Sequence, residues 1–533
     1  MIATRESFTE TEAAALAPYF TNLDRPVFAL VNLPETVKGA LFARYSRSAK
    51  PLRRLFLDEF LDAAAAAATP ASGVGTERAE RLYQKVFNEY GDDSVAQLGG
   101  VHLAVEDASN ILTKVLERGR LMAYLEQSTR YIPYTERRGE HWRYLVPAEL
   151  DGHPLRGEFV ATLDAAFETY ARWIDPMRAW FERRYPKAAG DSDGVYRSAI
   201  RAKALDTLRG LLPAATQSNV GMYGTGQAYE TLLLRMNAHP LAEVRACAGA
   251  MLAELRHVIP AFLARVDQPE RGGRWSDYLA DTRARLAEAA ARIDAAAPDA
   301  SPAAEVTLTD FDPDGEAKVV AAALYAVSGQ ADASLLTAAR AMSTEERAAV
   351  LAACVGSRIN RRHRPGRAFE RTSYRFDVLT DYGAFRDLQR HRLLTIEWQA
   401  LSSRHGYTQP EAIVDAGGDA DWRAVMNRSA ALHDALVDAG LTSVAPYAVA
   451  MAYRVRFVMD MNAREAMHVI ELRTAPAGHP AYRRVCQQMH RLIDSVAGHH
   501  AIAASMQFAD HSEVELERLQ EERRLEARRQ ARG

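Results

Sequence analysis

Three features that would mark particular classes of protein are scarce or missing in this sequence. Its 533 residues include three cysteines, Cys247, Cys354 and Cys486, with no Cys-x-x-Cys pair. A sparse, odd set suits a reducing compartment and argues against a disulfide framework or a thiolate metal cage. No stretch reaches the ~18 apolar residues of a membrane helix, and the N-terminus lacks the pattern of a signal peptide. We therefore expect a cytoplasmic protein with no membrane partner.

Strong charge and recognisable metal motifs are also absent. The net charge is −3, which gives no global attraction to nucleic acid, so we expect no nucleic-acid partner. The 15 histidines form no His-Glu-x-x-His motif and no cluster at ligand spacing, so we expect no metal site. The glycine-rich stretches GVGTE and GMYGTGQ follow no clear strand, and a dinucleotide-binding fold is not supported.

The sequence contains mostly helical patterning. Apolar residues three and four apart recur through 77–90, 239–266 and 479–506, whereas strand candidates are few: EVTLTDF and SYRFDVLT. A chain of this length exceeds one core, and the Ala-, Pro- and Asp-rich stretch 294–316 is the best boundary. We predict a helix-rich α/β fold of the α+β type. It comprises modules at 1–295 and 296–513, each a small sheet with packed helices, and a charged C-terminal helix or tail at 514–533.

The two halves of the chain resemble each other. RGRL at Arg118 is matched by RHRL at Arg390, and LRMNAHPLAEVR is matched by LRTAPAGHPAYRRV later in the second half. Two landmarks in the same order indicate an old tandem duplication. Chance similarity between short arginine-containing motifs is the alternative.

The stretch RGRLMAYLEQSTRY, residues 118–131, concentrates ionisable side chains. Guanidinium groups bind phosphates and carboxylates bidentately, which makes the stretch a candidate site for a nucleotide phosphate. Composition alone favours the plainer interpretation, an exposed helix whose ion pairs each contribute only ~0.3–0.5 kcal/mol.

This stretch resembles the signature of the flavin-dependent thymidylate synthase (ThyX) family, Arg-His-Arg-x-x-Ser-x-Asn-Glu-x-Ser-x-Arg-Tyr. The first half departs from it at Gly119, Ala123 and Leu125, while the second half keeps Arg-His-Arg but has Trp398 where the glutamate would stand. AFE, at 368–370, is similar to the family's turn near the flavin. NAREAMHVIELR, at 462–473, is similar to its late helix, and LRGLLP, at 208–213, is similar to its Ala-Arg-x-x-Leu-Pro motif.

The resemblance implies an enzyme that reductively methylates dUMP to dTMP. In that family FAD is the cofactor, and NADPH and methylenetetrahydrofolate are co-substrates. Members of the family are homotetramers, so a homodimer of this two-module chain would form a pseudo-tetramer of four modules.

The resemblance also assigns residues, with the nucleotide side retained in the first half and the flavin side in the second. A site assembled from both halves, within a chain or between chains, would unite them in a shared cleft. The implied substrate-binding residues are Arg118, Glu126, Ser128, Arg130, Arg209 and Arg235, of which Ser128 and Arg235 are the catalytic candidates. The implied flavin-binding residues are Arg390, His391, Arg392, Glu370, Asn462, His468 and Arg473.

Two other interpretations stay open at this point. Both copies of the signature are incomplete, so the chain could be a decayed homologue that binds nucleotides or serves as a scaffold. The same arginines would also suit a flavoenzyme that modifies another pyrimidine nucleotide, and fold-level analogy does not separate these functions.

Overall fold

The first half of the chain contains helices and short strands. A computed structural model describes residues 7–24, 28–45, 48, 50–61, 97–128, 132–139, 141–294, 304–516 and 518–531, so the helix predicted at 77–90 lies outside the described residues. The elements of the first half are α1 (Glu10–Leu16), α2 (Glu35–Tyr45), α3 (Leu52–Glu59), β1 (Gly100–Ser109), α4 (Asn110–Leu116), β2 (Met122–Glu126), β3 (Arg137–Arg138), β4 (His141–Trp142), α5 (Arg156–Arg184), α6 (Asp193–Leu208), β5 (Gln217–Thr225), α7 (Gly226–Asn237), α8 (Ala242–Arg256) and α9 (Arg274–Asp294).

The second half has a similar mixture of elements. Its elements are β6 (Val306–Phe311), α10 (Gly315–Ser328), α11 (Asp332–Ala341), α12 (Thr344–Val355), β7 (Ser373–Asp381), α13 (Tyr382–Leu388), β8 (Thr395–Trp398), α14 (Glu411–Asp415), α15 (Asp419–Asp438), β9 (Arg454–Asn462), α16 (Ala463–Arg473), α17 (Pro480–Ser495), α18 (His500–Ser505) and α19 (Leu519–Gln530). The predicted helix-rich α+β fold is confirmed. None of the helices described is both long and apolar enough to cross a membrane.

The sheets of the two halves share one strand order. β1, β5 and β2 form a three-stranded sheet in that order, and β7, β9 and β8 stand in the same order in a four-stranded sheet, with β6 added beside β7. β9 pairs antiparallel with β7 along its whole length and with β8 along part of it. Alternate residues of β9 are buried, as expected for a strand with one face on a core.

Two strands in each half end in the same way, at a polar residue that caps the next helix. The side-chain oxygen of the cap accepts a hydrogen bond from the backbone N–H three residues on, which satisfies one unpaired donor of the helix terminus. The capping residues are Ser109 before α4, Thr225 before α7, Asp381 before α13 and Asn462 before α16.

The chain forms two compact units, each built from separate stretches. The first contains 1–106, 119–126 and 219–297, and includes α7 to α9; the second contains 107–118, 127–218 and 298–533, and includes the four-stranded sheet. The first half of the chain therefore contributes to both units. The modules predicted at 1–295 and 296–513 describe sequence repeats, and their boundary stays a prediction.

Within the second unit, equivalent segments of the two halves pair with each other. The Ala214 N–H donates to the Val449 carbonyl, and the Met451 N–H donates to the Leu212 carbonyl, both at 2.9 Å. Between these bonds, Pro213 and Ala450 form an antiparallel bridge. This pairing holds the end of α6, from the first half, next to elements of the second half.

Candidate functional site

Three arginines converge on one buried carboxylate in the second unit. Arg390 donates to Asp387, while the Arg209 Nη1 lies 3.7 Å from Asp387 Oδ2 and the Arg473 Nη1 lies 3.8 Å from Oδ1. Arg209 comes from the first half of the chain, and the other two arginines come from the second. The structure thus brings together one residue assigned to the substrate and two assigned to the flavin.

Arg209 reaches this position because it follows the last turn of α6 and because a glycine leaves room for it. Its side chain is buried, with the residue only 4% exposed, and its Nη2 has no hydrogen-bond partner in the described part of the chain. A Cβ added at Gly383 would stand 3.1 Å from the Arg209 Nε and 3.2 Å from its Nη2. A buried donor without a partner is costly, so this guanidinium suits an anionic ligand.

Arg209 lines a cavity of about 470 Å³. Its walls include apolar side chains, among them Trp422 and Met451. Burial raises the pKa of Asp381, and the nearby Arg209 opposes that shift. The charged lining residues are Lys203, Arg209, Arg484, Asp206, Asp381 and Glu411. A volume of this size falls within the ~300–1,000 Å³ range of small-molecule sites.

Next to the arginines lies a group built around His391, which is 7% exposed. The Arg473 Nε donates to the His391 Nε2 at 2.9 Å, and the His391 Nδ1 lies 3.7 Å from a carboxylate oxygen of Glu465. The His391 and His468 rings meet edge to face, with centroids 5.4 Å apart. The Arg364 Nη2 lies 2.8 Å from the His468 Nδ1.

Burial and nearby arginines set the protonation of this group. Burial, together with Arg473, holds the pKa of His391 well below its usual range. Burial and Arg364 lower the pKa of His468 to about 4. Burial raises the pKa of Glu465 to about 7, although arginines oppose this shift. Near neutral pH, both imidazoles are therefore uncharged.

The same group offers three possible metal ligands, but its surroundings suit an anion better. Ligand atoms of His391, Glu465 and His468 lie within 4.8 Å of one another. The guanidinium groups that act on their pKa values, including those of Arg364 and Arg473, would repel a cation. We infer that phosphate or carboxylate groups match this site more closely than a metal ion does.

The other residues assigned to the flavin are placed differently. The Asn462 side-chain oxygen accepts from the Glu465 N–H at 2.9 Å, as the cap of α16. Glu370 accepts from the Arg367 Nε at 3.0 Å and is only half-buried. Arg392 is exposed, in the turn before β8. Asn462 therefore positions the helix that carries Glu465. Arg392 does not belong to the group around His391.

Arg118 contacts the second signature segment at β8, and the cleft that it was expected to share with Arg390 and Arg392 stays a prediction. Within the chain, its guanidinium pairs with Glu397 and lies 5.2 Å from the centre of the Trp398 ring. Its side chain is 40% exposed. Trp398 belongs to the less complete nucleotide motif of the second half, so the two signature segments do meet, but through Arg118 and β8.

The remaining substrate residues fall into different parts of the structure. Glu126 is buried at the end of β2 in the first unit, Ser128 is half-buried in the second unit, and Arg130 lies outside the described residues. Arg235 is half-buried on α7, in the first unit. Arg235 lies ten residues after Thr225, the cap of its helix, whereas Arg473 lies eleven residues after its cap, Asn462. Successive residues of an α-helix are rotated by ~100° about its axis. The two arginines are thus out of register.

Sequence reasoning did not identify Asp387 and Glu465, although both have a local signal. Asp387 precedes Arg390 by three residues, and Glu465 lies midway between Asn462 and His468 at three-residue spacing. Residues three apart share a helix face. The spacing placed these carboxylates beside the assigned residues, but it did not show that they would be buried.

Comparison with known proteins agrees with this arrangement of two related halves. The family model described as thymidylate synthase complementing protein (Thy1) matches residues 43–261 and 307–498. A crystal structure of a UMP/dUMP methylase, PolB from Streptomyces cacaoi, bound with 5-Br dUMP, is 19% identical and covers 38% of this chain and 96% of its own. The TM-score of this comparison is 0.30.

Two kinds of relative match the sequence. A UPF0159 protein of Chlamydia muridarum is 37% identical across 99% of this chain and 100% of its own length. A flavin-dependent thymidylate synthase of Mycobacterium sp. (strain JLS) is 30% identical over 34% of this chain and 68% of its own length. Because the family model covers more than half of the residues in two successive matches, the chain belongs to the thymidylate synthase complementing protein family.

Proposed function

We propose that this protein is a flavin-dependent thymidylate synthase that converts dUMP to dTMP with methylenetetrahydrofolate and NADPH. The observation that carries the proposal is the meeting of Arg209 with Arg390 and Arg473 at Asp387, beside a cavity that Arg209 lines. Each half of the chain supplies guanidinium groups to this place, as a composite site requires.

In this proposal Arg209 binds the nucleotide. Its unpartnered Nη2 is available to donate to a phosphate oxygen, and a partly desolvated guanidinium acts more strongly than one on an open surface. The apolar wall at Trp422 and Met451 would receive a base. Asp387 holds the three guanidinium groups close together.

The residues around His391 fit the phosphate-bearing part of FAD. Uncharged imidazoles of His391 and His468 do not add repulsion among the arginines, and the Arg473 guanidinium already donates to one of them. His391, His468, Arg390 and Arg473 would hold the cofactor, and Asn462 would fix the helix beneath them. When bound, FAD would supply the hydride carrier that reductive methylation needs.

The first experiment tests cofactor and substrate separately. The purified protein should show the absorbance of an oxidised flavin, or acquire it when FAD is added. His391→Ala should lose flavin and keep dUMP binding, whereas Arg209→Ala should do the reverse. Arg428→Ala, which removes an exposed arginine of α15, is the control and should change neither.

The outcomes distinguish the proposal from its alternatives. Failure to bind FAD would refute a flavoenzyme and favour a decayed homologue that binds nucleotides or serves as a scaffold. Flavin binding without rescue of a thymidine auxotroph would favour a flavoenzyme acting on another pyrimidine nucleotide. Equal loss of both ligands in both variants would contradict the divided roles of the two halves.

We also propose that two chains associate as a cytoplasmic homodimer, so that four modules reproduce a pseudo-tetramer. The pair of Arg118 and Glu397 is exposed, so it does not form an enclosed site within one chain. In the homodimer, residues of the second chain would complete the nucleotide-binding side of the site. Sedimentation velocity tests this assembly. A monomer that remains fully active would contradict it.

A further inference from the structure

A second cavity, of about 710 Å³, lies between α5 and α6 in the second unit. Arg178 from α5 and Arg197 and Arg201 from α6 line it, and Thr135 and Ser198 add hydroxyl groups. Among its described lining residues there is no carboxylate. The cavity is therefore strongly basic, although the chain as a whole carries a slight negative charge.

The fold uses these arginines only in part, and Arg197 and Arg201 are exposed at the mouth of the cavity. Arg197 and Arg201 are one helical turn apart, and like charges at that spacing destabilise a helix. Arg197 donates from Nε to the Asp193 carbonyl at 3.1 Å, while Arg201 makes no hydrogen bond or ion pair in the part of the chain that the structure describes. Arg178 pairs with Asp175, but its own Nε is buried without a partner among the described residues.

The cavity is distinct from the one that Arg209 lines. Both use α6, but the residues that face them differ: Arg197 and Arg201 face this cavity, whereas Lys203 and Thr207 face the other. At ~100° per residue, these two pairs lie on different faces of the helix, about 120° apart. The helix is a shared wall, and a ligand on one side does not occupy the other.

The lining also limits the chemistry of the ligand. Guanidinium groups recognise carboxylates and phosphates through paired hydrogen bonds. Ile174, Ala202 and Leu205 supply an apolar surface beside them. A bare inorganic anion would leave most of this volume unfilled, since ordinary small-molecule sites span ~300–1,000 Å³.

We propose that this cavity binds a small molecule that carries at least two negative charges on a partly apolar body. Phosphate groups of a nucleotide and carboxylates of a glutamate chain share that chemistry, and both would use the same guanidinium groups. Among the described residues assigned to dUMP or flavin, none lines this cavity, so the site can be tested separately from the proposed function.

The test compares two double variants of the full-length protein. Arg197→Gln with Arg201→Gln removes two charges from the cavity. The control, Arg524→Gln with Arg528→Gln, removes two exposed arginines at the same spacing on α19. Inorganic pyrophosphate and triglutamate are titrated by calorimetry at low salt, and flavin content is measured in both variants.

We expect at least one probe to bind the unmodified protein, and to bind the cavity variant about tenfold or more weakly, a loss of ~1.4 kcal/mol. The control should bind like the unmodified protein, and flavin content should not change. Tighter binding of pyrophosphate would assign a phosphate ligand, and tighter binding of triglutamate a carboxylate chain. Equal weakening in both variants, or no binding of either probe, would overturn the proposal.

Discussion

Substitution of Asp387 by asparagine should reveal how much the three arginines depend on one carboxylate. The amide of Asp387→Asn would keep an oxygen for Arg390 but would remove the charge that faces Arg209 and Arg473. Loss of one partner from a buried ion pair destabilises a protein by about 3–5 kcal/mol. Because the amide preserves one hydrogen bond, we expect the lower end, a loss of about 3 kcal/mol in the free energy of unfolding.

A control variant tests whether removing any carboxylate that pairs with an arginine causes the same loss of stability. Asp460 pairs with Arg375 at 3.4 Å, but its side chain is 42% exposed. Exposed pairs contribute only about 0.2–1 kcal/mol, so Asp460→Asn should have little effect. Urea unfolding followed by circular dichroism measures both variants, and phosphate should restore more stability to Asp387→Asn than to the unmodified protein.

Two results would refute this reasoning. If Asp387→Asn and Asp460→Asn lose the same stability within error, the carboxylate does not hold the three guanidinium groups together. If phosphate stabilises the variant no more than the unmodified protein, the arginines released from Asp387 do not form an anion site. Either result would remove the main support for a composite site.

Three further predictions concern single residues. Arg209→Lys keeps the charge but loses the planar fork, so dUMP affinity measured by calorimetry should fall about tenfold or more; unchanged affinity would remove Arg209 from the site. The pKa of Glu465 is raised from 4.5 to about 7, so between these pH values the folded state holds a proton that the unfolded state releases. The free energy of unfolding should therefore fall as pH rises from 4.5 to about 7, by at most about 3 kcal/mol. Glu465→Gln should flatten that profile in urea unfolding, and a parallel profile would contradict the assignment. Arg118→Ala should cost less than about 1 kcal/mol, because its pair with Glu397 is exposed, and a larger loss in the same assay would contradict that interpretation.

Local patterns predicted the helices better than the strands. The helical stretches at 239–266 and 479–506 form α8 and α17 with short helices after them, and the two strand candidates form β6 and β7. β9, RVRFVMDMN, was missed although it alternates between buried and half-buried residues. Charged residues on the outer face of a strand weaken its local signal, because pairing with β7 and β8, rather than propensity, stabilises it.

The sequence by itself determined the family, the repeat and the motifs, since each depends on residues close together in the chain. Only the tertiary structure decided which motifs meet. Pairing of the segment around Pro213 with the segment around Ala450 brings Arg209 to Asp387, and the same fold leaves Arg118 against Trp398. The tertiary structure also decided which residues are buried. The pKa values of Glu465 and His391 are shifted because residues far away in the sequence exclude water from them.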